Sequence, residues 1–249
     1  WDAGYTGQGQ VVAVLDTGIE AAHPMLAGKV VQSISFTGDS VGDAVGHGTH
    51  VAGIIAGKEN GIGTYDGVAP DAQLWNVKVL DNTGHGAESW IMAGINYAVD
   101  PDGNPTTEDG VKIINMSLGF SGEPPTIGLV KKIQEYASKG VIFIATPGND
   151  RFENQLQAPA SAGGLMVSGN LDANDHVYES SGYGLTFNVR KREFVVPDIF
   201  MAPGTQIYST SSTLPDEDDY GTATGTSMSA PHVAGSVALL LQYLKQTYK

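Results

Sequence analysis

Val11-Val12-Ala13-Val14-Leu15-Asp16-Thr17-Gly18 is an unbroken apolar run that ends in a carboxylate, a hydroxyl and a glycine. Apolar residues without alternation suit a β-strand covered on both faces, as in a parallel sheet. Ligands bind at the carboxyl ends of such strands, so Asp16 is a candidate functional residue as well as a candidate turn cap. Runs of the same kind lie at Leu74 to Leu80, Val111 to Leu118, Val141 to Ala145 and Leu165 to Val167. Between them the spacing predicts helices at His47 to Ala56, Ala87 to Val99 and Ile127 to Ser138. The last places Ile127, Val130, Ile133 and Ala137 on one face. A fourth helix is expected from near Ser227 to Tyr243, with Ala234, Val237, Ala238 and Leu241 on one side. This alternation predicts an α/β fold of three layers, α/β/α, around a mostly parallel central sheet.

Composition narrows the reading. The 249 residues show no linker and no internal repeat, and are expected to form one domain over 1–249. A domain of this length buries roughly three quarters of its unfolded surface and needs no staples. The chain has no Cys, which excludes a disulfide scaffold, a thiolate zinc site and a cysteine nucleophile. Lys and Arg number 13 against 27 Asp and Glu, a net charge of −14, which argues against nucleic acid as a partner. No apolar run reaches the roughly 18 residues of a membrane span.

Two further segments carry chemistry. Gly46-His47-Gly48-Thr49-His50 opens a predicted helix, with His47 flanked by glycines that leave room for a neighbour. His47 and His50, at i and i+3, share a helix face of the kind that holds metals. No Glu lies between them, however, and no third ligand has a suggestive spacing. Gly225-Thr226-Ser227-Met228-Ser229-Ala230-Pro231 begins the last helix, and Pro231 fits its first turn. Ser227 is a candidate helix cap, but it also lies where the helix dipole would stabilise a forming oxyanion. Ser229 stands where the α/β-hydrolase elbow needs Gly. Together the segments supply carboxylate, imidazole and hydroxyl in the order Asp, His, Ser, the order of the subtilisin type of triad.

On these motifs, and on the lead-in Trp1-Asp2-Ala3-Gly4-Tyr5-Thr6-Gly7-Gln8-Gly9, the chain resembles the subtilisin-like serine proteases over nearly its whole length. The resemblance implies that Asp16, His47 and Ser227 form the triad. It also implies that Asn149, in Ala145-Thr146-Pro147-Gly148-Asn149-Asp150, donates to the oxyanion. The implied activity is endopeptidase cleavage of extended or unfolded polypeptides through an acyl-enzyme. Ser117, Leu118 and Gly119 then resemble the strand that pairs with the peptide and walls its primary pocket. Gly84, His85 and Gly86 resemble the strand on the peptide's other side, and Thr146, Pro147 and Gly148 the opposite pocket wall. The implied primary preference is for large apolar side chains.

The chain departs from the family pattern in places. Pro147 removes a backbone donor from the pocket wall. Met25 stands where many relatives carry a calcium-binding Asp, and a thioether is a poor calcium ligand. The tight calcium site of the subtilisins proper is therefore expected to be absent; other structural calcium is compatible with so acidic a chain, and the chemistry requires no cofactor. The segments 100–110 and 178–192 read as loop insertions, the second carrying the basic residues Arg190, Lys191 and Arg192. That basic island suits a solvated hairpin tip, or contact with a propeptide, a partner domain or an acidic substrate. The resemblance further implies an amino-terminal propeptide before maturation and a secreted or cell-surface location. A catalytically silent peptide binder, a peptide ligase and an esterase share the same residues. Retention of all four chemical residues favours the hydrolase over the silent binder.

Overall fold

A computed structural model describes residues 1–59, 66–104, 106–107, 109–120, 125–151, 156–188, 193–195, 197, 199–212 and 220–248. Eleven strands and four α-helices follow in chain order among them. They are β1 (Val11–Asp16), β2 (Val30–Ser35), α1 (His47–Ala56), β3 (Gln73–Lys78), α2 (Glu88–Val99), β4 (Ile113–Met116), α3 (Ile127–Ser138) and β5 (Ile142–Ala145). Then come β6 (Met166–Leu171), β7 (Thr186–Asn188), β8 (Glu193–Val195), β9 (Ile199–Pro203), β10 (Ile207–Thr210), β11 (Tyr220–Ala223) and α4 (Thr226–Thr247).

Seven strands form one sheet in the order β2-β3-β1-β4-β5-β6-β9. The pairs β1 with β3, β2 with β3, β5 with β6 and β6 with β9 are all parallel. The class is α/β with a mostly parallel sheet, as the alternation predicts. Strand order reverses at β1, and ligands in such sheets bind outside the strand ends at a reversal. Asp16 is the last residue of β1.

By contacts the chain divides into two compact units. The first comprises residues 1–114, 208–222 and 234–249. Its core is the run Val12 to Leu15 of β1, covered by buried Val51, Ile55, Leu74, Val77, Ile91 and Ile95. Gly94 lets α2 approach β3 and the residue just beyond it closely, since a β-carbon there would lie 3.1 Å from Val77 Cγ1 and 2.6 Å from Val79 Cγ1. The second unit comprises residues 115–207 and 223–233, with Phe143, Ile144, Leu129, Ile133 and Val167 in its core.

Two sequence expectations need correction, and one strand had no sequence expectation at all. Ile127 is not on the buried face of α3 but 68% exposed; Leu129, Val130, Ile133 and Tyr136 are buried instead. It is the first helical residue, ahead of the turn that packs. The segment 178–192 is not all loop, because β7 pairs antiparallel with β8. Its basic residues Arg190, Lys191 and Arg192 lie outside the described residues. The run Val30 to Ser35 carries no clean apolar signature, yet forms the edge strand β2, where exposed positions are tolerated.

Candidate active site

In the first unit, Asp16 and His47 meet. Asp16 is 1% exposed, and its Oδ1 lies 2.7 Å from His47 Nδ1. A carboxylate can only accept, so Nδ1 carries the hydrogen and Nε2 is left as the acceptor nitrogen. The same Oδ1 accepts from the Thr17 N–H at 2.7 Å, which fixes the carboxylate's rotation. The His47 side chain is 29% exposed, so substrate can reach the imidazole. Burial pushes its pKa down, but the charge and hydrogen bond of Asp16 and the charge of Asp43 outweigh burial and raise it.

His47 is presented at the first position of α1, whose amino end is capped from outside the helix. Gly46 precedes it with φ 90°, a left-handed turn that glycine adopts freely. The Gly48 N–H donates to Thr17 Oγ1 at 2.9 Å, and the Thr49 N–H to Asp43 Oδ2 at 2.8 Å. Asp43 also accepts from Thr49 Oγ1, Thr17 Oγ1 and the N–H groups of Val45 and Gly46, at 2.7 to 3.0 Å. A buried carboxylate here satisfies helix donors and complements the helix dipole. Lys78, 0% exposed and opposite Asp16 in the β1–β3 register, donates to the Thr17 carbonyl. Sequence reading missed Asp43 and Lys78; the only signal was a carboxylate in the turn Gly42-Asp43-Ala44 just before His47. The Nε2 of His50, the other histidine of this turn, lies 3.2 Å from the Gly221 carbonyl.

The second unit holds Ser227 and Asn149. Ser227 is the second residue of α4 and partly exposed, between buried Thr226 and Met228. Its Oγ donates to the Ser117 carbonyl at 3.1 Å, while Ser117 Oγ donates to the Ser227 carbonyl at 2.8 Å and accepts from Asn115 Nδ2. Asn149 Oδ1 accepts from the Thr226 N–H at 2.9 Å and from Thr226 Oγ1 at 3.1 Å. With the oxygen so engaged, the amide is oriented and its NH₂ faces away as a donor.

The expected substrate segments are placed as follows. Residues 117–119 continue directly from β4, with Thr146 Oγ1 donating to the Leu118 carbonyl at 3.2 Å. Residues 146–148 continue from β5, and the Pro147 and Gly148 carbonyls accept from the Gln157 and Gly182 N–H groups. Gly84, His85 and Gly86 do not form a regular strand. Gly86 makes one antiparallel bridge with Leu80, and Asp81 ties the turn by accepting from Thr83 and His85.

Met25 lies in the short turn Pro24–Leu26 and is 4% exposed, its Cε 3.2 Å from where a β-carbon on Gly57 would lie. A core thioether offers calcium no oxygen, so the residue does not fit that ion. Residues 60–65 of the neighbouring loop lie outside the described residues. Among the described residues the carboxylates of Asp100, Asp102 and Asp109 lie within 4.8 Å of one another at a loop surface. No described helix is long and apolar enough to cross a membrane.

A strand-end carboxylate on an imidazole, and a serine at a helix start beside an oriented amide, are the parts of a serine hydrolase. Residues 7–249 match the model of the subtilase family, and the chain belongs to that family as a subtilisin-like serine endopeptidase. It is 37% identical over 260 residues to the major intracellular serine protease of Bacillus subtilis, covering 100% of this chain and 73% of the relative. It is 36% identical to subtilisin DY of Bacillus licheniformis and to thermitase of Thermoactinomyces vulgaris, covering 96% of this chain and 78% and 77% of them. A crystal structure of a cold adapted subtilisin-like serine proteinase matches with a TM-score of 0.77 and 28% identity, over 98% of this chain and 78% of that one. The fold is accordingly the three-layer α/β/α arrangement expected from sequence. The expectation of a secreted or cell-surface protein is overturned by the match to an intracellular protease over the whole chain. Export is a property of a leader segment, not of the catalytic residues that carried the resemblance.

Proposed function

We propose that this enzyme cleaves peptide bonds of extended or unfolded polypeptides through an acyl-enzyme on Ser227. His47 Nε2 takes the Ser227 proton as Oγ attacks the scissile carbonyl, because a serine hydroxyl alone is too weak an acid to react at neutral pH. Asp16 holds the imidazole in the required tautomer and stabilises the imidazolium. Asn149 Nδ2 and the Ser227 N–H donate to the tetrahedral oxyanion, each such donor lowering the barrier by roughly 3–4 kcal/mol. The imidazolium then protonates the leaving amine, and water, deprotonated by His47, releases the acid and regenerates Ser227.

The peptide pairs as an added strand with residues 117–119 on one side and 84–86 on the other, and residues 146–148 form the second wall of the primary pocket. Residues 1–249 act as one catalytic domain. The chemistry requires no metal, and the tight calcium site of the subtilisins proper is missing at Met25. Calorimetry with and without chelator tests that absence; a large loss of melting temperature traced to an ion beside Met25 refutes it.

The observation that carries the reading is the 2.7 Å bond from His47 to Asp16, which leaves Nε2 as a base. A serine-directed phosphonate followed by mass spectrometry tests it. Labelling at Ser227 that is lost in His47→Ala supports the assignment; a folded, unlabelled protein refutes it. Product analysis on a peptide library then separates hydrolysis from ligation.

A further inference from the structure

We infer that Gln157 sets the primary specificity of this enzyme by filling the space between the two pocket walls, so that small side chains are accepted and large apolar ones refused. The inference rests on the reading that residues 117–119 and 146–148 flank the primary pocket.

Each wall ends in a glycine, and both glycines face the same side chain. A β-carbon on Gly119 would lie 2.5 Å from Gln157 Oε1 and 3.3 Å from its Cβ. On Gly148 it would lie 2.5 Å from Gln157 Cδ, 2.7 Å from Cγ and 2.9 Å from Nε2. The Gln157 side chain therefore occupies the room that the two glycines leave open. It is also held in place. Its backbone N–H donates to the Pro147 carbonyl at 3.2 Å, and its carbonyl accepts from the Ser161 N–H at 3.1 Å. The next residue, Ala158, accepts from the Phe120 N–H at 3.0 Å, which anchors the segment beside the first wall.

The amide has a defined orientation. Nε2 donates to Asp150 Oδ2 at 2.6 Å, and since a carboxylate only accepts, the bonded atom is the NH₂. Oε1 is thereby left on the Gly119 side as an acceptor. A large apolar side chain entering between the walls must push this amide off Asp150 and strip its water without a replacement partner, which is unfavourable. A small side chain leaves the amide in place, and a hydroxyl of the right length gains a bond to Oε1. The substrate class is thus a polypeptide with a small residue, serine above alanine, on the acyl side of the cleaved bond.

The experiment compares kcat/KM for peptides that differ only in that residue, Ala, Ser, Leu or Phe, in the wild type, Gln157→Ala and Gln157→Leu. The wild type is expected to favour Ala and Ser over Leu and Phe by about tenfold or more, the scale on which pocket fit discriminates. Gln157→Ala is expected to shift that ratio at least about tenfold towards Leu and Phe. Gln157→Leu keeps the refusal of large residues and loses the preference for Ser over Ala. Phosphonate titration of Ser227 in every variant keeps the two readings apart. A wild type that titrates fully yet prefers Leu or Phe overturns the inference and leaves the catalytic assignment standing, even if neither variant folds. Unchanged ratios in variants that titrate fully overturn it as well. A wild type that neither titrates nor cleaves removes the underlying reading.

Discussion

His47 Nδ1 and Asp16 Oδ1 lie 2.7 Å apart, joining the first residue of a helix to the last residue of a central strand. The contact raises the His47 pKa against the opposing effect of burial. A base must be neutral to act, so the acid limb of kcat/KM is expected above pH 6.5, the ordinary value for histidine. For stability the sign runs the other way. A raised folded pKa stabilises the fold fully below the unfolded value near 6.5, and that contribution fades as pH rises through the folded value. An NMR titration of His47 beside a pH–rate profile checks both. In Asp16→Asn the titration is expected to move down, with kcat lower by about 10⁴-fold; an unmoved titration contradicts the assignment.

Asp43 collects five hydrogen bonds around the turn that delivers His47. Asparagine keeps one acceptor oxygen and brings an unwanted NH₂. Asp43→Asn is expected to cost about 2–3 kcal/mol, the worth of a hydrogen bond to a charged group, read by urea denaturation. Loss of its charge should also lower the His47 pKa.

Gly48 sits against β1 with no room for a side chain. A β-carbon there would lie 2.1 Å from the Gly18 carbonyl oxygen and 3.1 Å from Asp16 Cβ. Gly48→Ala must push α1 off the strand end, at a cost of about 1–3 kcal/mol. A lower melting temperature together with lower kcat is expected; a melting temperature equal to wild type contradicts the packing.

Thr226 orients the Asn149 amide through both its N–H and its hydroxyl. Thr226→Val keeps the first bond and loses the second. The expected result is a fall in kcat of about tenfold with KM nearly unchanged, since the oxyanion exists only in the transition state. Asn149→Leu removes the donor itself and should cost about 10²–10³ in kcat. A change confined to KM in either variant points to binding instead.

Much of this was legible from residues alone, and the reasons differ. The run Val11 to Leu15 announces a doubly covered strand because every side chain in it must be buried. The helices α1 and α3 begin and end where the spacing places them. The face of α3 was misjudged at Ile127, because period alone does not reveal which turn meets the core. Edge strand β2 was invisible, since strands with one exposed side and broken apolar runs resemble loops. Asp43 was overlooked for the same kind of reason: an aspartate between Gly42 and Ala44 reads as an ordinary turn residue until its partners in β1 and α1 are known.

Sequence by itself determined the chemical types and their order: a carboxylate after an apolar strand, an imidazole between glycines, a serine at a helix start, an asparagine after another strand. These survive as local patterns because each is fixed by neighbours along the chain. What only the tertiary structure decided is which groups touch. The bond from the Thr17 hydroxyl to Asp43, the bond from Lys78 to the Thr17 carbonyl, and the approach of Gln157 to Gly119 all join segments well separated in sequence. No local propensity encodes such contacts, because they arise from the packing of whole elements, and here they hold in place the Asp43 carboxylate whose charge helps raise the His47 pKa.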